Sequence, residues 1–203
     1  MLEVVYGDRV KAFGANGILV ELRPQENTTH ASEGVNLAQL FVSGEMIGRV
    51  ATYYTNMTEA MRQTYGADGM RAIAFARRLS ELRRATRQYL VHGRLLRPPA
   101  IDFAPDADAP RTRWNWSVLS GAHRAADGSV AFSFANARDS AEQRFSVRIV
   151  ADEYGIPTNG TWALQRIDAA GSQQSIGTIR QRTISQTFTL PPLSAVVLVA
   201  RPR

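Results

Sequence analysis

The spacing of apolar residues changes character near residue 100. Beyond it, apolar side chains recur at every second position. Trp114, Trp116 and Val118 alternate in RWNWSVL, Val130, Phe132 and Phe134 in GSVAFSFAN, and Phe145, Val147 and Ile149 in RFSVRIV. GTWALQRI, SIGTI, TISQTFTL and SAVVLVA continue the series, with turns marked by Asp127-Gly128, Asn159-Gly160 and Ala170-Gly171. A period of two places alternate side chains on one face of a strand. Seven or eight short strands at near-regular spacing predict an antiparallel sandwich over residues 111–203.

Before residue 100 the pattern is mixed. Residues 3–6 and 18–22 read as extended. In VNLAQLFVSGEMIG, Leu37, Leu40, Phe41 and Gly44 fall at helical spacing, and a short helix is predicted after residues 56–58. The strongest helical signal is DGMRAIAFARRLSELRRATRQYLVHG, with Asp68 as N-cap and Gly93 as a left-handed C-terminal residue. Phe75, Leu79, Leu82, Thr86 and Tyr89 form one stripe on it, and Arg71, Arg77, Arg78, Arg83, Arg84 and Arg87 lie largely off that stripe. Pro98 and Pro99 stop the helical pattern, and Pro105 and Pro110, among three aspartates, extend an irregular linker.

Composition adds constraints. The 203 residues carry 24 Lys and Arg against 18 Asp and Glu, a net charge of +6, and Lys11 is the sole lysine. The arginines occur in both halves and are mixed with acids, which reads as a solvated surface. A basic nucleic-acid-reading helix is the sharper alternative, but no aromatic or base-reading polar pattern accompanies the charge. The longest apolar run, AVVLVA, is far short of a membrane span, and no leader pattern is visible at the N-terminus. Absence of cysteine excludes disulfides, thiolate zinc sites and a cysteine nucleophile.

Candidate chemistry is sparse. His30, His92 and His123 lie far apart, without metal-ligand spacing. There is no phosphate-cradling glycine motif and no serine elbow. Four Asn-x-Ser/Thr patterns, at Asn27, Asn56, Asn115 and Asn159, fit glycosylation acceptors but have no secretory signal beside them. Trp114, Trp116 and Trp162 could stack on sugar rings if exposed, although strand alternation favours packing. Asp8 follows an apolar stretch at a turn, and Glu45 sits between glycines in SGEMIG. Paired carboxylates can cleave glycosidic bonds. The plainer readings are an exposed turn aspartate and a helix-end glutamate.

The order of segments carries a resemblance. VVYGDRVKAFG resembles a late barrel strand and loop of large glycoside-hydrolase-like proteins, with Gly7 where that family often has histidine. NLAQLFVSGEMIG is similar to the segment that follows, an apolar helix leading to a Gly-acid-x-x-Gly turn. ARRLSELRRATRQYLVHGRLLRPP resembles the last long barrel helix, and the half ending FTLPPLSAVVLVARP their C-terminal sandwich. The resemblance implies an α+β multidomain chain: a partial (β/α) barrel remnant with a long C-terminal helix over 1–98, a linker over 99–110, and an all-β antiparallel sandwich over 111–203. A complete barrel takes about 250 residues in eight strand–helix units, of which 98 residues supply about two. The resemblance further implies Tyr6, Asp8 and Glu45 as substrate-side groups, with the main catalytic carboxylates on strands outside this chain. It implies a carbohydrate partner, while the residue patterns read above lead us to expect no cofactor, no metal, no nucleic acid and no membrane. Acid–base glycoside hydrolysis would be the parent activity and this chain alone would be inactive, with self-association possible through an exposed barrel edge. A non-catalytic carbohydrate-binding or scaffolding sandwich is the alternative.

Overall fold

The computed structural model describes residues 13–14, 31–47, 57–103, 118–138 and 141–203. Strands β1 (Phe13–Gly14) and β2 (Met46–Ile47) pair in parallel, Phe13 opposite Met46, with helix α1 (Ala31–Ser43) between them in the chain. Helix α2 (Met57–Ala85) and the short α3 (Arg87–Leu90) follow. Nine antiparallel strands then complete the described chain: β3 (Arg94–Leu96), β4 (Ala100–Phe103), β5 (Val118–Arg124), β6 (Val130–Asn136), β7 (Gln143–Val150), β8 (Trp162–Ile167), β9 (Gln173–Thr178), β10 (Thr183–Leu190) and β11 (Ser194–Pro202). They form a six-stranded sheet, ordered β3-β5-β6-β11-β8-β9, and a three-stranded sheet, ordered β10-β7-β4.

The predicted β-sandwich is present. Its alternating positions point into one core, where Val130, Phe132 and Phe134 of β6 meet Phe145, Val147 and Ile149 of β7. Phe134, Phe145 and Phe188 form a ring cluster with centroids 5.6–5.7 Å apart. Tyr154, in a 3₁₀ turn after β7, meets Phe132 edge-on at 4.8 Å and donates a hydrogen bond to the Arg97 carbonyl. Burial pushes the Tyr154 hydroxyl up to about 12. Residues 94–96 and 100–103 supply β3 and β4, an edge strand to each sheet.

Strand β6 is buried on both faces. Its second face carries Ala131, Ser133 and Ala135, small side chains against which α1 lies, while α2 packs beside them on β11. Helix α1 brings Leu37, Ala38, Phe41 and Val42 to this layer, and α2 brings Phe75, Leu79 and Leu82. The predicted stripe Phe75, Leu79, Leu82, Thr86 and Tyr89 is buried throughout, while Arg71, Arg77, Arg78, Arg84 and Arg87 are exposed. The architecture is therefore three layers: helices, six-stranded sheet, three-stranded sheet.

Two local expectations are corrected. Asp68 is not an N-cap, because α2 starts at Met57 and runs through it, absorbing the short helix expected after residues 56–58. Gly66 and Gly69 thus lie inside the helix, at a propensity cost of about 1 kcal/mol each. Gly93 does not take the left-handed conformation. It is needed for space: a Cβ there would lie 2.3 Å from the Tyr89 carbonyl oxygen.

Two polar networks tie the layers together. The Asn136 amide donates to the carbonyls of Ala141, Leu190 and Pro191 at 2.9–3.0 Å, and its Oδ1 accepts from the Arg138 N–H. The next turn continues the chain of bonds. Leu193 adopts a left-handed φ of 46°, donates to the Arg138 carbonyl and accepts from Arg78 of α2. In the second network Asp127 accepts from the Ser129 N–H and hydroxyl, and the Ser129 hydroxyl also meets the Tyr89 hydroxyl at 3.0 Å. The carboxylate can only accept, so Ser129 donates to it and Tyr89 donates to Ser129.

Asn136→Ala is expected to lower unfolding stability by about 2–3 kcal/mol, because buried carbonyls lose their donor. Asn136→Asp should cost more, since a carboxylate would face three carbonyl oxygens; equilibrium denaturation distinguishes the two. Hydrogen bonds from Ser129 hold the Asp127 carboxyl below its ordinary value. A depressed folded pKa gives stability that is present above the unfolded pKa and lost as pH falls through the folded one. The stability difference between the wild type and Asp127→Asn should therefore shrink as pH drops below about 4, read from denaturation midpoints across pH.

Candidate functional site

The described site candidate centres on the end of α1. Gly44 has φ 77° and its N–H bonds the Phe41 carbonyl at 3.1 Å, while the Glu45 N–H reaches back to Leu40 at 2.9 Å. These two bonds are a Schellman closure with Gly44 as its left-handed residue. SGEMIG is thus a helix stop whose first glycine is required by backbone sterics. Ser43 turns its hydroxyl back to the Gln39 carbonyl at 2.9 Å.

Basic groups gather on the carbonyls this stop leaves over. Arg83 of α2 donates to the Gly44 carbonyl at 3.3 Å. The fully buried His123 of β5 places Nε2 3.3 Å from the Ser43 carbonyl. A carbonyl only accepts, so that nitrogen carries a proton. Both contacts complement the negative end of the helix dipole. Burial lowers the Arg83 guanidinium from its ordinary value. Beneath the stop the backbone comes very close to β5: a Cβ on Gly121 would lie 1.9 Å from the Val42 carbonyl oxygen.

A cleft of about 170 Å³ opens beside this junction, lined by Gln39, Val42 and Ser43 of α1 and by Leu95, Leu96, Pro98, Ser120 and Gly121. Among the described residues its lining carries no carboxylate, imidazole or guanidinium. No cluster of three potential metal ligands occurs among the described residues.

The expected site residues are placed as follows. Tyr6 and Asp8 lie outside the described residues, as do Trp114, Trp116 and His30. Glu45 is half-buried directly after the α1 stop and directly before β2. It therefore occupies a helix-to-strand connection, at the start of a strand. Trp162 is partly buried and packs against the sandwich core. His92 is exposed. At Asn159, the side chain accepts from the Thr161 N–H and hydroxyl, closing a turn. Local patterning did not single out His123, Arg83 or Asn136. Each acts through partners distant in the chain, so no short motif announces it.

No family model matches the sequence, and no curated protein matches it. Some solved structures are similar. α-Galactosidase I from Mortierella vinacea is 12% identical with a TM-score of 0.40, over 89% of this chain and 38% of that one. A GH27 β-L-arabinopyranosidase from Geobacillus stearothermophilus is 10% identical with a TM-score of 0.38, over 87% of this chain and 32% of that one. A bifunctional glucanase-xylanase from a metagenome library is 17% identical with a TM-score of 0.30, over 43% of this chain and 16% of that one. The chain thus spans well under half the length of each.

Gly121→Ala is expected to destabilise the protein by about 3 kcal/mol, the upper end for overpacking, because the atom it meets is backbone. Amide exchange should quicken in α1 and stay unchanged in β7 and β10. Uniform protection after the substitution would contradict this role for Gly121.

Proposed function

We propose that these residues correspond to the C-terminal portion of a glycoside-hydrolase-like protein, in which the sandwich and its covering helices brace a (β/α) barrel that acts on carbohydrate. The observation that carries this reading is the β1–α1–β2 unit. Two parallel strands joined through a helix form the repeating unit of such barrels. Its helix leads, through α2, into an antiparallel sandwich whose outer face the same helices cover.

In this reading the chemistry is acid–base hydrolysis of a glycosidic bond by a carboxylate pair. The pair belongs to other strands of the barrel, and the described residues brace it. Tyr6 and Asp8 remain the substrate-side candidates. Glu45 fits that role poorly, because active sites of (β/α) barrels form at the C-terminal ends of the strands and Glu45 precedes β2. We assign Glu45 to the bracing face.

The genomic DNA upstream of the Met1 codon provides the test. An in-frame extension is expected, encoding further strand–helix units, and the extended protein should hydrolyse aryl glycosides while the 203-residue chain shows no turnover. An upstream frame without such units, or glycosidase turnover by the 203-residue chain itself, overturns the proposal.

A further inference from the structure

The helices pack on β5, β6 and β11 of the six-stranded sheet, but none of the described elements covers the outer face of the three-stranded one. Its register places Thr189 beside Arg144, Thr187 beside Ser146, and Ser185 beside Arg148. Ile184, Phe188 and Leu190 turn the other way, into the core. The exposed face is therefore a grid of hydroxyls with two arginines, four residues apart on β7. At a rise of about 3.3 Å per residue, the two guanidinium stems are roughly 13 Å apart along the strand. The Ser146 and Thr187 hydroxyls bond each other at 3.0 Å, which fixes the centre of the grid.

Neither Arg144 nor Arg148 has a carboxylate within ion-pair distance among the described residues. Asp102 on β4, opposite Ser146, is the one carboxylate that the described register brings to the face. No aromatic ring stands on its described positions, so single-stranded nucleic acid would lack a stacking platform. An extended chain bearing both carboxylates and hydroxyls matches it better. Guanidinium groups take carboxylates bidentately, and Ser and Thr hydroxyls both donate to and accept from sugar hydroxyls.

We infer that the outer face of the β10-β7-β4 sheet is a docking surface for an acidic polysaccharide. Arg144 and Arg148 bind carboxylates on sugars that are not adjacent in the chain, and Ser146, Ser185, Thr187 and Thr189 bind the hydroxyls between them. The inference stands apart from the barrel reading, because it requires only the sandwich.

Calorimetric titration of the 203-residue protein with polygalacturonate at low salt tests it, with a neutral galactan and single-stranded DNA of equal charge as comparison ligands. Polygalacturonate should bind, with affinity falling as salt rises, and both comparison ligands should bind at least ten-fold more weakly. The pair Arg144→Ala and Arg148→Ala should weaken binding ten-fold or more. The pair Arg84→Ala and Arg87→Ala, which removes the same charge from exposed positions at the other side of the molecule, should leave it unchanged. If the alanine pair on β7 fails to fold, Arg144→Gln with Arg148→Gln keeps the apolar stems on the sheet and reads out the same loss. Three results overturn the inference: no binding of polygalacturonate, equal weakening by the two arginine pairs, or DNA binding as tight as polygalacturonate binding.

Discussion

The close approach of α1 to the six-stranded sheet is the constraint on which the architecture depends. At Gly121 the Val42 carbonyl occupies space that any side chain would fill. Opposite it on β6, Ser133 faces the same layer, between Ala131 and Ala135. Small residues on this face let a helix backbone settle onto the strands. Large residues on the other face, Phe132 and Phe134, fill the sandwich. One strand thus serves two cores, and the helices and the sandwich fold as neighbours in a common packing arrangement.

That contact organises the polar groups around it. A helix ending on a sheet leaves carbonyl groups that must be satisfied away from water. Here Arg83 and His123 meet them from two different elements. The same logic governs the far end of β6, where one buried asparagine satisfies three carbonyls from two turns. Leu193 holds a left-handed backbone that costs a branched residue about 1–2 kcal/mol. Burial of its side chain and bonds at both its N–H and its carbonyl offset that cost. These groups stabilise the junctions.

The two outer surfaces of the sandwich differ for a related reason. On β5, β6 and β11 the six-stranded sheet presents alanines, valines, Gly121, Ser133 and His123 to the helices that cover it. The three-stranded sheet presents serines, threonines and arginines and is open. An antiparallel sheet tolerates one wet face. Which of its polar groups take a ligand depends on their spacing across strands, and only pairing sets that spacing.

The sequence by itself determined the strands from β6 onward, the turns at Gly128, Gly160 and Gly171, and the buried stripe of α2, whereas β5 lies almost wholly beyond the alternation read in RWNWSVL. These features rest on short-range periodicity and on backbone conformations that few residues adopt. The alternation in β6 also misled in part. A period of two marks one buried face, yet the intervening Ala131, Ser133 and Ala135 are buried as well. Small residues look the same in a solvated face and in a helix-packed one. Tertiary structure alone decided that the helices cover this face, that Asp68 lies inside a helix, and that Gly93 supplies space rather than a left-handed turn. It also decided that Glu45 precedes a strand, and that Arg144 and Arg148 share an open face with the hydroxyls of β10. Each of these outcomes depends on a partner many residues away, whose position only the folded chain fixes.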